Sequence, residues 1–200
     1  MQKTIGYAAV AALTFALSPA YAAWRVDNRD STFNFVSSKA AAPGVAAIQE
    51  VQTFKQIDGV VGDDGKLEFN VELGSVETNI PLRNERLKGM LFKVADNPTA
   101  VFTGTVDASQ FKAMPLGAFA NVSLNGQLTI NGQSKLLSAS LRVDKLASGA
   151  LRVSTGVPII VNLNDYGLQD GVTALRTMMN LNVLASSAPV TFSVVLKPEK

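Results

Sequence analysis

The sequence predicts an all-β protein, an antiparallel barrel of about eight to ten short strands, and three features of the chain carry that expectation. Apolar and polar residues alternate with the period of two that turns one face of a strand inward. Glycine, asparagine and aspartate turn signals separate the alternating runs at regular spacing. The stretch from Ser75 to Phe102 is the clearest break in the pattern, with helical spacing. A sandwich shares the first two features. Long strands in meander order favour the barrel, whose closure also removes exposed sheet edges.

The chain opens with Lys3 in a short positive segment, an apolar run from Ala8 to Leu17, Pro19 as a breaker, and Ala20-Tyr21-Ala22. That order of charge, apolar run and small residues is the pattern of a secretory signal peptide. Residues 1–22 are therefore expected to be a leader, and residues 23–200 one exported domain in the periplasm. The apolar run is shorter than the ~20 residues of a permanent span, and no later segment reaches that length.

Trp24 and Val26, then Phe33 and Phe35, form two alternating runs. Their phase changes between Asn28 and Ser31, which predicts a bulge or bend. Lys39 to Ala47 is rich in small residues around Pro43-Gly44 and reads as a loop. Ile48 to Val61 has some helical spacing, but Thr53, Phe54, Ile57, Val60 and Val61 favour a strand, and Gly59 is a poor helix residue. Gly62-Asp63-Asp64-Gly65 predicts a tight hairpin, followed by a strand with Leu67, Phe69, Val71 and Leu73 on one face.

In the Ser75–Phe102 stretch Pro81 stops the extended pattern, and Leu87, Met90 and Leu91 recur at i, i+3, i+4. This predicts a short helix in a long connection, laid over the sheet as a lid or plugging the end of a packed core. Asn97-Pro98 turns into a strand through Ala100, Phe102, Gly104 and Val106, and Phe111 to Phe119 reads as a loop. Val122 to Ile130 and Leu137 to Val143 flank Asn131-Gly132, the strongest hairpin signal in the chain. Leu151 to Leu163 is the longest alternation, ended by the turn residues Asn164-Asp165-Tyr166-Gly167. Met178 to Leu184 and Val190 to Leu196 are expected to supply the last two strands.

Composition narrows the function. Without Lys3 the 18 Lys+Arg residues become 17 against 16 Asp+Glu, so no basic field addresses nucleic acid or an anionic bilayer. The chain has no Cys and no His, which removes disulfides, the usual zinc ligand sets, and Ser-His or Cys-His nucleophile pairs. No metal site is expected. Carboxylates such as Asp30, Glu77, Glu85 and Asp165 form no catalytic motif, so the chain is not read as an enzyme. An outer-membrane barrel would need two aromatic girdles, for which one Trp and three Tyr are too few.

Trp24-Arg25-Val26-Asp27 with Asp30-Ser31-Thr32-Phe33-Asn34-Phe35 and Ile57-Asp58-Gly59 begin an ordered set of short pieces. Val76-Glu77-Thr78, Arg83-Asn84-Glu85-Arg86-Leu87, Leu91-Phe92, Asn97-Pro98 and Val101-Phe102 continue it. Gly126-Gln127-Leu128-Thr129-Ile130-Asn131-Gly132 and Asn164-Asp165-Tyr166-Gly167-Leu168 complete it. In this order the set resembles the YceI-like family of exported lipid-binding barrels. The resemblance implies a lipocalin-like barrel of about eight strands, enclosing a polyisoprenoid such as a quinone tail or polyprenyl phosphate. The family often has His, Asp and Asp where this chain has Asp30, Asn84 and Lys93.

The candidate ligand-binding residues are Phe33, Phe35, Phe54, Phe69, Phe92, Phe102, Leu87, Leu91 and Ile159, with Arg83 for a head group. The phenylalanines are walls if the barrel is hollow and plain core if it is filled. Arg83 or Arg86 suits a phosphate at a helix start, or a surface ion pair with Glu85 or Glu77. A bound polyisoprenoid or ubiquinone is thus the expected guest, and no other cofactor is. The alternative is a solid barrel acting through its surface. Transient membrane contact and a homodimer stay open as partners.

Overall fold

The computed structural model describes residues 22–199, so all but the last residue of the expected leader lies outside the described residues. The strands are β1 (Ala22–Ala40), β2 (Ile48–Phe54), β3 (Ile57–Gly62), β4 (Lys66–Glu72) and β5 (Val76–Glu77), followed by helix α1 (Pro81–Arg86). Next come β6 (Thr99–Thr105), helix α2 (Ala108–Ala113), β7 (Phe119–Ile130), β8 (Gln133–Lys145), β9 (Leu151–Thr155) and β10 (Ile159–Asn162). Helix α3 (Gln169–Met178), β11 (Val183–Leu184) and β12 (Ser187–Pro198) complete the order. The strands β1, β3, β4, β6, β7, β8, β9 and β12 pair in that sequence, and β12 returns to β1. Eight antiparallel strands therefore close a lipocalin-like barrel. β2 and β10 prolong the staves of β3 and β9, pairing with the far ends of β1 and β12.

The expected phase change in the first strand is a bulge. Along β1 the register with β12 shifts between Asp27 and Thr32. Ser31 fills the irregularity: its hydroxyl donates to the Asp27 carbonyl at 2.6 Å and accepts from the Val195 N–H at 2.9 Å. On the other flank Asn28 spans the break between β2 and β3, donating to the Lys55 carbonyl at 2.9 Å and accepting from the Ile57 N–H at 2.8 Å. One bend thus interrupts both neighbours, and Ile48 to Val61 is two strands instead of one.

The Asn131-Gly132 hairpin forms with φ of 51° and 71°, the double left-handed turn that matches strand twist. The predicted helix starts earlier than its apolar spacing. Pro81 sits in its first turn, where a missing N–H costs nothing, and a π-turn from Leu87 to Phe92 continues α1.

Three expectations fail. The supposed loop at Phe111 begins inside α2, started by the Asp107 carboxylate accepting from the Ser109 N–H at 3.0 Å. Met178 ends helix α3 instead of beginning a strand, and of Met178 to Leu184 only Val183–Leu184 is extended. The long alternation breaks at Gly156-Val157-Pro158 into β9 and β10.

At the end of the barrel where α2 joins β6 to β7, Trp24, Phe111, Val143 and Leu151 are buried. At the opposite end α3 lies on the π-turn. A Cβ at Gly171 would stand 2.7 Å from the Met90 carbonyl oxygen, so only glycine permits this approach.

Candidate functional site: an apolar cavity in the barrel

Between the two ends the inward faces do not meet, and they leave a cavity of about 250 Å³. An apolar cavity of roughly 150 Å³ already holds a benzene-sized guest and otherwise stays dry. The barrel interior is therefore not solid, and the cavity wall extends to Phe111, Val143 and Leu151 at the α2 end. The wall has one charged residue, Glu68, whose carboxylate accepts from the Asn70 side chain at 2.9 Å in an exposed contact.

Aromatic rings form much of the wall. The Phe33 ring stacks on Phe69 and on Phe192, each at 5.8 Å, and meets Phe54 edge-on at 6.1 Å. Phe54 also touches Phe35 at 5.2 Å and Phe92 at 5.9 Å, the latter carried in by the π-turn. Gly104 and Gly126 face each other across β6 and β7. Gly126 makes room for the Phe102 ring, since a Cβ there would lie 2.4 Å from the ring tip.

Of the residues expected at the site, Phe33, Phe35, Phe54, Phe69, Phe92, Phe102, Leu91 and Ile159 line this cavity. Leu87 packs against the core but is not part of the cavity wall. Trp24, Leu128, Val153 and Phe192 line it too, beyond the expected set. Phe192 shares one face of β12 with Val190, Val194 and Leu196, so its inward direction is available from the same period of two.

Arg83 stands elsewhere. Its guanidinium donates to Glu50 at 2.7 Å and to the Thr78 carbonyl at 2.6 Å, so its ion-pair partner is neither Glu85 nor Glu77. Lys39 reaches the same Glu50 oxygen at 2.6 Å, and hydrogen bonds from Lys39 and then Arg83 hold the Glu50 carboxyl below its ordinary value. Beside them Asn84 accepts from the Thr78 N–H at 2.9 Å and hydroxyl at 2.6 Å, and donates to Glu77 at 3.0 Å. Asn84, then Lys55 and the Asn79 N–H, hold the Glu77 carboxyl down to about 2. This cluster clips α1 to β2 and β5.

The three departures from the family pattern acquire local roles. Asn84 gives Glu77 an N–H donor that a carboxylate lacks. Asp30 lies 3.4 Å from Lys197 on β12. Lys93 ends the π-turn in the left-handed region at φ 50°.

Among the described residues no cluster of His, Cys, Asp and Glu is placed to hold a metal, and no helix is long and apolar enough to cross a membrane. The cavity offers desolvation: it removes hydrocarbon from water and supplies almost no polar contact.

The comparisons agree with this geometry. A family profile described as the YceI-like domain matches residues 24–196. A polyisoprenoid binding domain from Saccharophagus degradans, implicated in plant cell wall breakdown, superposes with a TM-score of 0.84 at 27% identity, covering 90% of this chain and 100% of that one. BcnA of Burkholderia cenocepacia shares the fold, with a TM-score of 0.64 at 17% identity over 85% of this chain and 98% of its own. No curated protein matches the sequence significantly. Matched from the first strand of its barrel to the last, the chain belongs to the YceI-like family.

Proposed function

We infer that this protein is a non-enzymatic carrier or reservoir for a long-chain polyisoprenoid, a quinone tail or a polyprenyl phosphate, exported to the periplasm by the leader read in its sequence. The observation that carries the reading is the apolar cavity of about 250 Å³ inside the barrel. Each buried methylene stabilises the complex by roughly 0.8 kcal/mol, so a long tail needs no polar anchor there. The polyisoprenoid binding described for the Saccharophagus degradans domain supports the same class of ligand. Phe33, Phe35, Phe54, Phe69, Phe92, Phe102, Leu91 and Ile159 form the wall in this reading, while Arg83 and Leu87 seat the helix.

Protein expressed with its leader, recovered from the periplasmic fraction and purified without detergent tests the proposal. Native mass spectrometry is expected to show an adduct that leaves in organic solvent with the mass of a polyprenyl lipid. An empty protein that also fails to bind added ubiquinone would overturn it.

A further inference from the structure

The barrel wall is not sealed along its whole length. β8 pairs with β7 from Gln133 to Asp144, but with β9 only from Leu141 to Lys145. One more bond joins those two staves, from the Gly156 N–H to the Ser140 carbonyl at 2.8 Å. Beyond it β10 pairs with β12 alone. The gap is bounded at its far end as well, where the Asn131 side chain donates to the Tyr166 carbonyl at 3.1 Å.

The cause lies in Gly156-Val157-Pro158. Continuing the register that sets Ser154 against Ser193 would bring Ala188 opposite Ile159, but Val190 stands there. Two extra residues are therefore taken up between the ladders, a bulge that bends β10 away from β8 while β12 keeps hold of it. Pro158 has no N–H with which to resume the lost ladder. The unpaired stretch of β8, residues 133–139, is roughly 20 Å long at ~3.3 Å per residue.

Both edges of this slit belong to the cavity wall: Leu137 and Ala139 on β8, Ile159 and Val161 on β10. Their outward neighbours are apolar and uncovered, Leu136 at 85% exposure and Val157 and Ile160 at 59% each. The α2 end of the barrel carries the buried side chains of Trp24, Phe111, Val143 and Leu151, and the other end carries α1, the π-turn and α3.

We propose that the slit between β8 and β10 is the portal through which an isoprenoid chain slides sideways into the cavity, with Leu136, Val157 and Ile160 as its lip. The inference rests on the carrier reading above. A chain passing here stays against hydrocarbon from lip to wall and displaces no ladder hydrogen bond, whereas passage between fully paired staves such as β7 and β8 would break several.

The test uses the absence of native cysteine. Leu136→Cys with Ile160→Cys places two thiols on the exposed lip, and Asn125→Cys with Ser138→Cys places two across the intact β7–β8 ladder as a control. Each full-length pair is bridged with a short bis-maleimide whose centre is reducible. Uptake of all-trans-retinol is followed by quenching of Trp24, the single tryptophan, which lines the cavity. Bridging the lip is expected to slow uptake about tenfold or more, with recovery on reduction, while the control bridge leaves the rate unchanged. Equal rates before and after bridging the lip overturn the portal and leave the carrier reading standing. A parent protein that takes up no retinol and no ubiquinone overturns both.

Discussion

Leu151 and Leu128 both line the cavity, and their exposure differs. Leu151 is 2% exposed and belongs to the buried cluster that includes Trp24, Phe111 and Val143. Leu128, beside Phe102 on the same wall, is only half-buried. The same alternation of apolar and polar residues produced both positions. The period of two decides which side chains point inward; whether they meet depends on how much bulk is delivered to that level of the barrel. α2 brings Phe111 inward and β1 brings Trp24, and both lie buried on the wall of the lumen.

The contrast is sharpest for the same chemical change at the two places. Leu151→Ala is expected to cost about 2–5 kcal/mol, because a side chain only 2% exposed loses nearly all of its buried contacts. Leu128→Ala should cost less than about 2 kcal/mol, since one side of that side chain already faces empty space. Urea denaturation of both variants measures the difference, and equal losses would mean that the lumen is filled.

Adding bulk reverses the comparison. Val76→Phe, at a core position 3% exposed and outside the cavity wall, forces a ring into occupied space and is expected to cost about 1–3 kcal/mol. Val153→Phe, on the cavity wall, should change stability by no more than about 0.5 kcal/mol while lowering the amount of retinol bound at saturation. Thermal melting and a fluorescence titration separate the two effects.

The smallest effect concerns the clip on α1. The Glu77 carboxyl falls from an ordinary 4.5 to about 2 in the folded protein, chiefly through its bond from Asn84. A depressed carboxyl stabilises the fold fully above its unfolded value and loses that contribution as pH falls through the folded one. Glu77→Gln should therefore melt at a temperature less sensitive to pH between about 4.5 and 2 than the parent does. Parallel melting curves would show that the clip does not hold the helix.

The sequence made the β7–β8 hairpin legible, because Asn131-Gly132 names its own turn type, and it exposed the β1 bulge through the shifted phase of Phe33 and Phe35. Helix α3 leaves a signal that the strand expected from Met178 overlooks: Leu168, Val172, Leu175 and Met179 follow a 4, 3, 4 spacing. Gly171 argues against a helix when taken alone, although it serves the contact with Met90. Helix α2 has only six residues, too few for a periodic signal. Eight of the candidate site residues line the cavity because inwardness is local information. Arg83 does not, because its partner Glu50 lies 33 positions away and no spacing rule points to it.

The seam of the barrel joins β1 to β12, and its flanking pair, Arg25 and Glu199, is separated by 174 positions. Neither strand can find this partner until nearly all the residues between them are present and arranged. Contacts so distant along the chain slow a search that local hairpins finish early. A β1 strand of 19 residues must meanwhile keep its β12 edge unpaired, which is the condition under which strands associate with the wrong neighbour. Refolding from denaturant should accordingly end in a slow phase that coincides with the burial of Trp24, and its yield should fall as protein concentration rises.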